Sequence, residues 1–308
     1  MNTIAKPTAS TPAAPRTALR EPRPSFLGSV GSEALKLRRQ GMVWAMLGVA
    51  CFFFAMLTAA LLQAGNFRGI LERSPSTFVF NLFDIYTAMF NAGSGIFLLI
   101  VTARLVGMEY SAGTIRVLLA RGAGRLRLLL AKLTAMALLG LVLIAGFVVL
   151  VSAAVYGTVV AWEGGFGKIT SLPGVAWHDL GIVVLVMLTS MGACILVGTA
   201  AATLGRSVAF GVGAALALFP IDTVGSQLLA VLNFLTGWHF WLDITAYLLG
   251  PNLNALPVLM QKDHAAHAAF ATPLVTIDAT HAWLVVGAWA LGLLALTVGL
   301  TWRRDVLQ

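Results

Sequence analysis

The sequence predicts an all-α fold: a polytopic membrane protein with six transmembrane helices and both termini on the cytoplasmic side. Three observations carry this expectation. Of the 308 residues, 59% are hydrophobic and only 10% are charged, against about 25% charged in an ordinary water-soluble domain. The apolar residues gather in long charge-poor runs, the signature of segments whose solvent is lipid. The basic residues fall between those runs with a strong bias to one side.

A hydrocarbon core of ~30 Å requires about 20 apolar residues per helix. Six segments meet that length: Met42–Ala64, Leu82–Val106, Leu133–Val160, Gly181–Leu204, Val208–Leu232 and Ala282–Trp302. With the N-terminus inside, sixteen of the twenty Lys and Arg residues face the cytoplasm, and only Arg68, Arg73, Lys168 and Lys262 face outward. The positive-inside rule therefore gives an N-in, C-in arrangement in the cell membrane. The net charge of +8 is accounted for by this topology, so no nucleic-acid partner is inferred. The two cysteines, Cys51 and Cys194, lie within apolar runs and read as small buried hydrophobes, neither a disulfide nor a metal site.

Residues 1–24 are rich in Ala, Pro, Thr and Arg and hold no apolar core of a cleavable leader. They read as a disordered cytoplasmic tail, which leaves the first span as its own insertion signal. Residues 25–308 form the membrane domain. Ahead of the first span, Phe26, Val30, Ala34 and Leu37 recur at helical spacing, with Lys36, Arg38 and Arg39 crowding the end. Ser25 is placed to cap this segment. The pattern predicts an amphipathic helix lying at the inner membrane interface; the plainer reading is a basic topogenic flank. Between the fifth and sixth spans, residues 233–281 carry Trp238, Trp241 and Tyr247, residues suited to a membrane–water boundary. Phe240, Trp241, Ile244, Tyr247 and Leu248 share one helical face, predicting one or two short helices on the outer leaflet.

The most informative stretch lies between spans two and three, from Gly107 to Lys132. Thr114 is placed to cap a short helix whose apolar face is Ile115, Leu118 and Leu119, with Arg116 and Arg121 off that face. Gly122 and Gly124 break the helix, and Arg125 to Lys132 begin the next one. Such a helix, held just below the membrane with a break on either side, is built to pass force from a soluble partner to two spans. The pattern resembles the first cytoplasmic loop of type-2 ABC transporter permeases. In that family a Glu, three residues, Gly-Thr, a basic residue, a leucine pair, then Arg and Lys precede the third span. Glu109, Gly113, Thr114, Arg116, Leu118, Leu119, Arg125 and Lys132 match it position by position, and Arg121 lies within it. The segment Glu33 to Arg39 is similar to the family's N-terminal interfacial helix, and Arg303 to Leu307 to its usual ending.

The resemblance implies the membrane subunit of an exporter, with a cytoplasmic coupling helix that docks on a separate ATP-binding subunit. It also implies a second permease subunit, identical or different, that shares the translocation path within the lipid bilayer. On this reading the chain is not an enzyme and binds no cofactor; ATP and magnesium are expected on the partner. No segment fits the phosphate-cradling G-x-x-x-x-G-K-[ST] pattern. The nearest stretch, ending Gly167-Lys168-Ile169-Thr170, has Ile169 at the hydroxyl position and Trp162 at the first glycine.

Several single residues admit two readings. Glu109, an acid in a basic loop, pairs with Arg116 or Arg104 or contacts the partner. Asp222, two residues after Pro220 in the fifth apolar run, is a transport-pathway candidate if it lies at depth; a helix break at Pro220 places it instead near the outer surface. Asp84, near the outer end of span two, is an ordinary interfacial carboxylate. His264 and His267 are spaced for a metal but lack a completing ligand and read as solvated loop. Gly93, Gly95, Gly198 with Ala202, and Gly211 with Gly213 suit close helix packing in lipid. Competing classes are an ion-coupled secondary transporter, which calls for intramembrane charges or paired interrupted helices, and a non-transporting sensor or scaffold.

Overall fold

The computed structural model of the chain describes residues 25–63, 66–113, 124–165, 167–170, 172–261 and 270–303. Among these residues the fold is all-helical, without strands. The helices are α1 (Phe26–Arg38), α2 (Gly41–Gln63), α3 (Asn66–Arg73), α4 (Pro75–Ser111), α5 (Arg125–Glu163), α6 (Gly167–Thr170), α7 (Gly174–Gly205), α8 (Val208–Thr236), α9 (Phe240–Thr245), α10 (Leu249–Met260) and α11 (Ala279–Arg303).

Five of them, α2, α4, α5, α7 and α11, are long and apolar enough to cross a membrane. The segment expected as the fifth span lies within α8, a continuous 29-residue helix whose side chains at 219, 220, 222 and 223 lie outside the described residues. Of the two readings offered for this segment, the helix break at Pro220 does not occur: the backbone is helical through that position. The side chains of Pro220 and Asp222 lie outside the described residues.

α4 and α5 outgrow the expected spans the most. α4 has 37 residues and α5 has 39, so at 1.5 Å per residue each reaches about 55–60 Å, well beyond a hydrocarbon core of ~30 Å. The start of α4 explains its added turns: Ser74 Oγ accepts from Thr77 N and Pro75 opens the first turn. α4 packs along α7 and α8, and α5 along α1, α4 and α7. The main core cluster gathers Phe78, Tyr86, Leu98 and Leu105 of α4 with Met136, Phe147 and Val151 of α5 and Met187 of α7. By contrast, the apolar window of α2 is wholly unburied, with Phe52, Phe53 and Met56 exposed.

Close helix contact is concentrated at a few glycines. A Cβ on Gly107 of α4 would lie 2.9 Å from the Val208 backbone of α8, and one on Gly211 would lie 2.9 Å from Ala202 of α7. Gly198 sits almost as tightly against the Leu99 carbonyl, whereas Gly93 and Gly213 face open space. The small residues of the sequence therefore divide into packing positions and positions without a neighbour.

Candidate functional site: a buried ion cluster at the base of the loop

α1 is present as a capped helix: Ser25 Oγ accepts from Gly28 N at 3.0 Å. Its buried face differs from the expected one. Val30, Glu33 and Leu37 are buried, while Phe26 and Ala34 are exposed. The face that packs against α5 thus carries a carboxylate, and Glu33 is only 1% exposed.

Burial of an ionised group is tolerable only where partners replace water. Here four side chains from three helices supply one another. Lys132 Nζ, near the start of α5, lies 3.0 Å from Glu33 Oε2 and 2.7 Å from Glu109 Oε1. It also donates to the Leu105 carbonyl at 3.3 Å. Lys36 Nζ lies 2.7 Å from Glu33 Oε1 and 2.9 Å from Glu109 Oε1. The charges balance, two carboxylates against two ammonium groups. Glu33, Glu109 and Lys132 are buried, and Lys36 closes the cluster from the solvent side. Burial pulls the Lys36 ammonium pKa down, but hydrogen bonds and charge from Glu33 and Glu109 outweigh it and raise the group above its ordinary value. One acceptor stays open: Glu109 Oε2 is buried without a hydrogen-bond partner among the described residues.

Among the described residues this geometry gives Glu109 partners other than the expected Arg104. Its partners are Lys36 and Lys132. Arg104 instead directs Nη1 toward Met42 Sδ at 3.5 Å, and Arg116 lies outside the described residues. The sequence did present Glu33 and Lys36 three apart on a helix, and Glu33 falls in register with Val30 and Leu37. That register, read as a buried face, is the signal that would have found the cluster.

The loop that joins α4 to α5 starts and ends in defined geometry. Gly113 adopts the left-handed region at φ 66°, which favours glycine. Gly124 caps the start of α5. Arg125 donates from Nη1 to the Trp302 carbonyl at 3.2 Å, placing a cation at the C-terminal end of α11, where the helix dipole favours it. Thr114, Arg116, Leu118, Leu119 and Arg121 lie outside the described residues, as do His264 and His267. No group of metal-ligating side chains forms among the described residues.

A family model, the ABC-2 family transporter protein, matches residues 29–222. The match covers well over half of the chain and takes in α1 from Ser29 onward, the ion cluster and the loop. The chain belongs to the ABC-2 transporter family. No curated protein matches it. Family membership agrees with a multi-pass membrane protein, and the family's chains are membrane subunits that generally lack an ATPase site of their own.

At the opposite end of α4 the structure is hollow. A cavity of about 230 Å³ lies between α4, α7, α8, α10 and α11. Asp84, read from sequence as an interfacial carboxylate, lines it.

Proposed function

We propose that this chain is the permease subunit of an ATP-driven exporter. It would have six spans, counting α8 as the fifth, with both termini in the cytoplasm of a cell membrane. Energy would come from ATP and magnesium bound by a separate ATP-binding subunit, and a second permease chain would complete the path. On this reading residues 113–121 form a short helix that seats in a groove of the ATP-binding subunit through Ile115, Leu118 and Leu119. Arg116 and Arg121 flank that face, and Glu109, Arg125 and Lys132 anchor the loop at either end.

The observation that carries the reading is the ion cluster. It ties the last turns of α4, the first turns of α5 and the N-terminal helix together where the loop begins and ends. A push on the loop would therefore move three elements as a unit. A cluster of this kind adds little net stability over a well-packed apolar one, because desolvation offsets the attraction. What it does supply is a fixed geometry, which a joint that transmits force requires. Asp222 remains a pathway candidate within the same reading, on sequence grounds alone.

Replacing Leu118 and Leu119 with Asp tests the docking face. The double variant should insert in the membrane normally, because no span is altered, yet lose copurification with its ATP-binding subunit. A double variant that assembles and transports like the parent would defeat the docking claim. Reporter fusions test the orientation: a fusion after Lys132 should read cytoplasmic and one at Lys168 external, and the reverse result removes the N-in arrangement.

A further inference from the structure

Arg104 is a cation without an anion. It precedes Glu109 by five residues on α4, which places the two on different sides of the helix, so the ion cluster does not supply it. Among the described residues its guanidinium joins no ion pair. Its one hydrogen-bond contact there is from Nη1 to the Met42 thioether at 3.5 Å, and a thioether is a weak, uncharged acceptor. Arg104 Nε is buried with no partner among the described residues, although the residue as a whole is only half-buried. A guanidinium does not shed its proton in a protein. Leaving it so in a membrane protein is costly unless an anion reaches it.

Met42 fixes the level of this charge. It is the second residue of α2, a helix long and apolar enough to cross a membrane, so the guanidinium sits at one end of that crossing. Trp44 is exposed, and its indole Nε1 donates to the Arg38 carbonyl at 2.8 Å, the placement of an aromatic ring at a membrane–water boundary. Arg38 and Arg39, just ahead of Met42, are exposed cations. On the hydrocarbon side, the apolar window of α2 is wholly unburied, with Phe52, Phe53 and Met56 exposed. A free anion would use the charge alone. A phospholipid uses the charge and the apolar surface that runs away from it.

We infer that Arg104 anchors a site for an anionic phospholipid, with the phosphate accepting hydrogen bonds from the guanidinium and the acyl chains lying along α2. Arginine is suited to phosphate by its fork of donors, and basic positions between membrane helices are where anionic headgroups bind. Arg38 and Arg39 disfavour a headgroup that carries its own cation. The site requires only that α2 crosses the membrane; neither an ATP-binding partner nor the side on which the termini lie enters it.

The full chain, stripped of lipid in detergent, is titrated with phosphatidylglycerol or with phosphatidylcholine of the same acyl chains, and bound lipid is counted by native mass spectrometry. One phosphatidylglycerol should bind in a saturable step, roughly fivefold more tightly than phosphatidylcholine. Arg104→Gln should need roughly tenfold more of it. Arg104→Lys keeps the charge and should need only about threefold more, which keeps the test valid if the uncharged variant folds poorly. Arg38→Gln with Arg39→Gln should narrow the preference between the lipids and leave phosphatidylcholine binding unchanged. Absence of a saturable step overturns the site. So does a step indifferent to Arg104→Gln, or equal affinity of the parent for the two lipids. Two carboxylates outside the described residues, Glu21 and Asp305, are rival occupants. A chain that takes up phosphatidylglycerol only after Glu21→Gln or Asp305→Asn assigns Arg104 to its own tail and overturns the lipid claim. Thermal unfolding separates lipid from a free anion: phosphatidylglycerol should raise the midpoint and inorganic phosphate should not, and equal protection by both overturns the claim as well. Loss of docking to an ATP-binding subunit in the Leu118 and Leu119 variant would leave these results unchanged, so the two claims fail separately.

Discussion

The two ends of α4 treat polar groups in opposite ways. At the end near the loop, Glu109 is buried against two ammonium groups and helix packing closes over it. At the other end, Asp84, Thr87, Asn91 and Ser94 face a cavity, and Thr87 Oγ1 has no hydrogen-bond partner among the described residues. One helix thus carries a charge-matched joint and a polar wall on a cavity, separated by a stretch in which Val101, Thr102, Ala103, Leu105 and Val106 are buried. The difference teaches what each end is built for. Buried charge matched by opposite charge fixes one arrangement of its helices, even with Glu109 Oε2 left open, whereas an uncharged wall group such as Thr87 Oγ1 carries no such constraint.

The comparison breaks most readily at Lys132. This ammonium touches both buried carboxylates. Lys132→Met would leave Glu33 and Glu109 with Lys36 alone, which reaches both but sits at the solvent edge. Removing one partner of a buried pair costs about 3–5 kcal/mol. Thermal unfolding in detergent should show that loss, together with lower folded yield. The matching change at the cavity end, Thr87→Val, should leave unfolding nearly unaltered, since it deletes no pairing. Equal losses at the two ends would remove the distinction between joint and wall.

A second, smaller effect concerns how the joint end is held against its neighbour. Gly107 lies two residues before Glu109 and its α-carbon abuts the Val208 backbone. Gly107→Ala forces α4 and α8 apart by overpacking, at about 1–3 kcal/mol. Gly213→Ala, on α8 where nothing lies within 4 Å, should change stability by under ~0.5 kcal/mol. Thermal unfolding of the pair separates a packing glycine from an idle one; a neutral Gly107→Ala would show that the helices accommodate the added methyl.

Much of this architecture was legible in the sequence. Charge-poor runs announced the long helices, because lipid demands apolar length. Ser25 announced the start of α1, and the aromatic segment after α8 announced the short helices α9 and α10. What escaped was pairing across the fold. Glu33, Lys36, Glu109 and Lys132 come from positions up to 99 residues apart, and no local pattern states that they converge. Helical spacing offered two faces for α1, and the uniformly apolar one was preferred over the face bearing Glu33. That choice follows from treating α1 as lying on lipid, when its buried face packs on protein. Asp84 was discounted for the same reason: a carboxylate near a span end looks ordinary until its neighbours at Thr87, Asn91 and Ser94 are seen to share its face. The loop between Gly113 and Gly124 was legible as a motif and lies mostly outside the described residues, so its role rests on the matched pattern.

The finest test lies within the cluster, at its solvent edge. Lys36 differs from Lys132 in exposure: its side chain is 43% accessible, against 5% for Lys132. Its ammonium is held charged by Glu33 and Glu109, which outweigh the burial that opposes it, so its pKa in the folded chain is raised above 10.5. The sign of the linkage follows. A base whose folded pKa is raised adds stability in full below its unfolded value, and that stability drains away as pH climbs through the folded value. The parent should therefore lose stability relative to Lys36→Met only above about pH 10.5, and the gap between the two should be flat from pH 6 to 9. Solvent screening at so exposed a group keeps the gap to about 1 kcal/mol or less. Unfolding midpoints of the two chains across this pH range measure it. A gap that widened toward alkaline pH would mean that the ammonium is a burden on the folded state, and the cluster would then be a joint closed by Lys132 alone.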